Sequence, residues 1–120
     1  MLRLLVVTAH PDDEAANFGG TLLHYQARGV ETHVLCLTPG QAASHRGDTQ
    51  SEAQLAERRR AEFQDACRVL RVTHAEVLDY HDGQLPRTNF YEAVGDLTAR
   101  IRRAESCFPD VWAAAVQKVE

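Results

Sequence analysis

The sequence predicts an α/β protein with a mainly parallel sheet, and three observations carry that expectation. An apolar run over residues 2–8 is broken only by Arg3, as suits a strand buried on both faces. A stretch of helical spacing follows each strand-like run, so three strand–helix units succeed one another along the chain. Polar, turn-forming residues recur directly after each strand, the edge at which open parallel sheets bind ligands.

After the first strand, Ala15 to Arg28 has helical spacing, with Phe18, Leu22 and Tyr25 on one stripe and Gly29 as its stop. Gly19 and Gly20 each cost such a helix about 1 kcal/mol against alanine, so close packing or ligand access is expected in return. His33 to Leu37 forms the second strand. Thr38 to Asp48 is then a long, polar, Gly/Pro-marked loop on the carboxyl edge, a functional candidate carrying His45 and Arg46.

Ser51 to Leu70 is the strongest helix, with Leu55, Phe63, Ala66 and Leu70 on its apolar stripe. Arg59 falls on the same stripe and needs a partner there. Either Glu62 pairs with it along the helix, or the guanidinium aims at a polar ligand from beneath the site. Ala75 to Asp79 is the third strand, followed by the turn Tyr80-His81-Asp82-Gly83. Thr88 or Asn89 caps a third helix whose apolar positions are Phe90, Val94, Leu97 and Ile101. Beyond Ala104 the pattern breaks. Only Pro109 to Trp112 hints at a strand, and Ala113 to Glu120 looks weakly helical, so the sheet is expected to stop after the third unit.

The chain holds 120 residues, 44% hydrophobic and 25% charged, which suits one globular domain and argues against disorder. Its net charge of −4 excludes a general nucleic-acid binder. Arg58 to Arg60 and Arg100 to Arg103 are interleaved with glutamates, as on solvated helix faces. Cys36, Cys67 and Cys107 form no Cys-x-x-Cys pair, so reduced thiols in a cytoplasm are expected, with the first two as small core residues. No stretch reaches the roughly 20 apolar residues of a membrane span, and the N-terminus lacks a signal peptide's pattern. An unfinished sheet would leave an exposed edge, which favours association between copies.

The chemistry concentrates in His10-Pro11-Asp12-Asp13-Glu14, on the turn leaving the first strand. Three carboxylates beside an imidazole repel unless a cation or proton sits among them. His10 and Asp13, three apart on a rigid turn, can face one divalent metal, and Asp12 can take a proton from water that the metal acidifies. The plainer alternative is an acidic helix N-terminus favoured by the helix dipole.

Here the chain resembles the LmbE-like, or PIG-L, deacetylase family. The resemblance rests on Ala9-His10-Pro11-Asp12-Asp13-Glu14 and Phe18-Gly19-Gly20-Thr21-Leu22, then on Leu37-Thr38-Pro39-Gly40. It continues through Arg59-x-x-Glu62 with Ala66, Leu70 and Val72, and through Asp82-Gly83-Gln84-Leu85. It implies a Rossmann-like three-layer α/β/α fold and a zinc-dependent enzyme that removes an acetyl group from an amino-sugar conjugate. By resemblance His10 and Asp13 are metal ligands, Asp12 is the general base, and Arg59, Thr38 and Gly40 lie on the substrate side.

The resemblance covers residues 1–104, with 105–120 a divergent tail. Family members carry a further His-Pro-Asp-His-like motif after a fourth strand, which supplies the third ligand and an oxyanion partner. This chain has Ser106-Cys107-Phe108-Pro109-Asp110-Val111-Trp112 instead, as in a truncated or frameshifted product. Weak zinc binding and impaired activity are therefore expected, with His45 or His81 as the available substitutes for the missing ligand. A competing reading is a receiver-like phosphoacceptor, with Mg²⁺ on Asp12 and Asp13 and phosphorylation at Asp79. Its lysine is lacking, since Lys118 stands at the far end. A non-catalytic fragment is the third reading.

Overall fold

In a computed structural model, which describes residues 2–105 and 112–116, the chain forms one four-stranded sheet with helices on both faces. The elements run β1 (Arg3–Thr8), α1 (Asp13–Gln26), β2 (Glu31–Cys36), α2 (Glu52–Val69), β3 (His74–Val77), α3 (Phe90–Glu105) and β4 (Trp112–Val116). A 3₁₀ turn at Leu85–Arg87 precedes α3. Strand order is β3-β2-β1-β4, and every pairing is parallel.

Strand alternation sorts the core into two layers. Leu4 and Val6 of β1 join Val34, Cys36, Leu22, Phe63, Cys67 and Leu70 beneath α1 and α2. Leu5 and Val7 face the other way, with Leu35 and Leu78, against Leu97 and Ile101 of α3. A run buried on both sides has to be apolar throughout, which is why β1 shows no polar alternation. Burial also raises the thiols of Cys36 and Cys67 to about 12, in keeping with unreactive core residues. Cys107 lies outside the described residues.

The sheet does not stop at three strands. Trp112–Val116 pairs along β1 from Arg3↔Trp112 to Val7↔Val116, so the strand hinted at by Trp112 runs on through Ala113 to Val116, where the sequence suggests a weak helix. Three consecutive alanines carry little strand propensity, so the backbone pairing offered by β1 decides the conformation. With β2 on one side and β4 on the other, β1 is an interior strand. The 3-2-1-4 order also departs from the 2-1-3-4-5 order of receiver domains. Asp79 pairs with Arg60 and is 95% exposed, so the receiver reading fails on both topology and site.

Ser51 caps α2, its Oγ accepting from the Gln54 N–H at 3.2 Å, and Asn89 Oδ1 accepts from the first N–H groups of α3. The α3 stripe is buried only in its second half. Leu97 and Ile101 pack on the sheet, while Phe90 is 72% exposed and Val94 43%. The glycine pair of α1 is not demanded by packing, one of the two returns expected of it. A methyl group at Gly19 would make ordinary contact with Leu70 at 3.6 Å, and one at Gly20 would meet nothing within 4 Å. Gly20→Ala is therefore expected to stabilise the protein by about 0.4–1 kcal/mol in denaturant titration. Among the described residues, no helix is long and apolar enough to cross a membrane.

Candidate active site

The carboxyl ends of β1, β2 and β3 bring the His10 turn, the Thr38 loop and the Asp82 turn together. Asp13 opens α1, and its Oδ2 accepts from the His10 backbone N–H at 3.1 Å, which folds the turn back on itself. The same oxygen lies 3.5 Å from His10 Nδ1. On its other side His10 Nε2 donates to Asp82 Oδ1 at 2.9 Å. That bond places the ring proton on Nε2 and leaves the Nδ1 lone pair facing Asp13. Two ligands of tetrahedral zinc, with bonds of about 2.0–2.1 Å, stand roughly 3.3–3.4 Å apart. The His10–Asp13 pair fits that spacing.

Asp82 is 12% exposed and also accepts from the Ala42 N–H through Oδ2 at 3.2 Å. One carboxylate thus orients the imidazole and ties the long loop to the β3 turn. Sequence reasoning placed this turn on the correct edge but looked to its histidine. His81 instead turns away, with Nε2 2.9 Å from Glu52 and Nδ1 2.7 Å from the Asp82 carbonyl. Glu52 raises the His81 pKa above the ordinary histidine value. His45 is exposed on the loop, and Arg46 folds onto the Ala43 carbonyl. Neither histidine joins the His10–Asp13 pair.

Asp12 is the N-cap of α1 with φ 99°, a left-handed position that side chains other than glycine adopt at a cost. The N–H of Asp12 donates to Glu14 Oε2 at 3.0 Å, and its own carboxylate projects to the mouth of the turn. Protein packed on one side of that carboxylate raises its pKa. Asp13 adds to the rise, and Arg59 and His10 oppose it.

Arg59 reaches across from α2 to the same turn, rather than along its own helix to Glu62. Its Nη1 donates to the Gly40 carbonyl at 3.0 Å, and Nη2 donates to the Pro11 carbonyl at 2.6 Å and approaches Asp12 Oδ2 at 3.4 Å. Gly40 has φ 67°, and a Cβ there would lie 1.9 Å from Arg59 Nη1. The glycine is thus the seat of the guanidinium. Thr38 is fully buried, with its hydroxyl donating to the Ala9 carbonyl at 2.8 Å and accepting from the Gly40 N–H at 3.2 Å. It fastens the loop to the His10 turn from below. Thr38→Val removes both bonds at nearly constant shape, and a loss of about 1–3 kcal/mol is expected in thermal unfolding.

Glu14 is the second residue that sequence reasoning passed over. It is 0% exposed, and its Oε1 has no hydrogen-bond partner. Burial raises its pKa, backbone N–H groups oppose the rise, and Asp12 and Asp13 reinforce it. Its signal was visible only as the third acid of the motif.

A family profile described as PIG-L, GlcNAc-PI de-N-acetylase, matches residues 5–115. A 1D-myo-inositol 2-acetamido-2-deoxy-alpha-D-glucopyranoside deacetylase from Mycolicibacterium vanbaalenii is 50% identical over 54 residues, 45% of this chain and 18% of that protein. Among solved structures, the N,N'-diacetylchitobiose deacetylase of Pyrococcus horikoshii aligns with a TM-score of 0.77 at 32% identity, covering 86% of this chain and 38% of its own. GalB, the 4-carboxy-2-hydroxymuconate hydratase of Pseudomonas putida, aligns at 0.76 and 27%, covering 88% and 44%. The chain therefore spans less than half the length of each of these proteins.

Proposed function

The chain belongs to the PIG-L (GlcNAc-PI de-N-acetylase) family, and on that premise we propose that it carries part of a zinc-dependent site that removes acetyl groups from N-acetylated amino-sugar conjugates. The observation that carries this reading is the His10 imidazole held between Asp82 and Asp13, its Nδ1 3.5 Å from a carboxylate oxygen. Zinc held by His10 and Asp13 would polarise the amide carbonyl and acidify water. Asp12, at the mouth, takes the proton of the attacking water and returns it to the leaving amine. Asp82 keeps the imidazole in the ligating tautomer, and Arg59 anchors the turn that presents Asp12. The loop of Thr38 and Gly40 forms the substrate side, for a small-molecule substrate rather than nucleic acid. Buried free thiols at Cys36 and Cys67 favour a cytoplasmic setting.

Among the described residues, no third His, Cys, Asp or Glu completes a ligand set with His10 and Asp13. Two ligands make a weaker zinc site than the usual three, so weak binding and impaired turnover are expected of this polypeptide.

Zinc titration by calorimetry, comparing wild type with His10→Ala and Asp13→Ala, tests the ligand pair. Loss of a binding event in both variants is expected, and unchanged binding in both overturns the assignment. Asp12→Asn is expected to lower any residual deacetylation by about 10²–10⁴ without weakening zinc binding. Acetate release at about 1–10³ s⁻¹ by the 120-residue polypeptide alone would overturn its impairment. The likeness to GalB favours a second reading, hydration of an unsaturated carboxylic acid. Loss of the diene's ultraviolet absorption without acetate release would select it.

A further inference from the structure

A second cluster of metal-ligating side chains stands at the opposite, amino edge of the sheet. Glu31 and His33 are two apart on β2, so their side chains share a face. The register sets His33 of β2 directly beside His74 of β3. The two rings stand 4.7 Å apart and tilted by 42°. Glu31 Oε1 lies 2.7 Å from His33 Nε2 and 3.8 Å from His74 Nε2, and one donor atom from each residue falls within 4.8 Å of the others. From Glu31 to Cys36, five steps at about 3.3 Å place this cluster roughly 16 Å from the His10 edge.

We propose that Glu31, His33 and His74 form a second, independent binding site for a divalent transition metal such as Zn²⁺. Two imidazoles and one carboxylate make up a three-ligand set on which zinc retains an open position. The separations of 2.7 and 3.8 Å bracket the roughly 3.3–3.4 Å that tetrahedral zinc requires. Small rotations, chiefly of the exposed His74, close the difference. Arg3 forks the carboxylate from below, its Nε 3.3 Å from Oε1 and its Nη2 3.3 Å from Oε2, and so fixes its orientation. With nitrogen donors in the majority, the set selects imidazole-binding metals over Mg²⁺ and Ca²⁺. A cavity of about 390 Å³ opens beside the cluster, and His74, 67% exposed, gives a cation access from solvent.

The competing account is a structural network in which Glu31 accepts from His33 and Arg3 and holds no metal. The test is made in the full chain carrying His10→Ala and Asp13→Ala, which silences the carboxyl edge. Zn²⁺ is titrated by calorimetry, and Co²⁺ by its visible absorption. One bound equivalent of Zn²⁺ is expected, with an intense low-symmetry Co²⁺ band and no uptake of Mg²⁺. His74→Ala, at an exposed position that leaves the fold intact by circular dichroism, should weaken binding at least about tenfold, and His33→Gln should do the same. Absence of Zn²⁺ binding in the silenced background overturns the site, as does binding that His74→Ala leaves unchanged. Neither result bears on the His10–Asp13 assignment, which the single variants of that pair decide.

Discussion

Replacing Gly40 with alanine is expected to destabilise the protein by about 2–4 kcal/mol and to detach Arg59 from the His10 turn. Two effects add. The left-handed backbone at φ 67° penalises any side chain, and the new Cβ would lie 1.9 Å from the guanidinium nitrogen. The arginine must then leave the carbonyls of Gly40 and Pro11, which it now serves together. Arg59→Ala empties the same position and is expected to cost a similar amount, because both carbonyls lose a charged donor. Arg59→Lys should not restore stability, since a single ammonium does not reproduce the planar fork. Chemical denaturation of the two single variants and the double variant decides the matter. The double variant should be little worse than either single one, and simple additivity would show that the two residues act independently.

Glu14 carries the second large effect. Glu14→Ala leaves the Asp12 N–H without its acceptor and opens a void in a fully buried position, so a loss of about 1–3 kcal/mol is expected from the hydrogen bond alone. Glu14→Gln keeps the accepting oxygen and removes the charge. Its effect depends on pH, with a definite sign. The folded protein holds the Glu14 proton above the ordinary value of 4.5, so the folded state binds more protons than the unfolded one in that window. Wild-type stability contributed by this group therefore falls as pH rises from about 4.5 through the raised folded value, and is level on either side. Glutamine does not titrate. The Gln variant should gain on wild type across that interval, measured by thermal unfolding with chelator present. A difference that stays flat with pH would show that Glu14 is ionised at its ordinary value when folded.

Much of the frame was legible because it depends on local pattern. The run Leu4 to Val7 announces a strand buried on both faces, and Leu55, Phe63 and Leu70 announce the face of α2. The His10 turn was legible too, because its residue types are costly together without a partner. What escaped depends on contacts between distant segments. No spacing rule sends Arg59 to Gly40 and Pro11, because the destination is set by how α2 lies across the ends of β1 and β2. Asp82 was hidden for a similar reason. Its neighbour His81 is the more familiar ligand type, yet the β3 turn points the carboxylate at His10 and the imidazole at Glu52. The strand at Trp112–Val116 is hinted at only by its start, since the alanines that follow state no preference that could outweigh a waiting edge.

The left-handed backbone at Asp12 has a consequence for how substitutions there are interpreted. Glycine would relieve the strain at φ 99°, and asparagine tolerates that conformation nearly as well as aspartate. Stability and chemistry therefore rank the replacements differently at this one position. Asp12→Gly should raise the melting temperature while removing the proposed proton acceptor, and Asp12→Asn should leave stability nearly level while removing the same group. A screen for thermostable variants would select against the proposed general base, and only a screen on turnover would retain it.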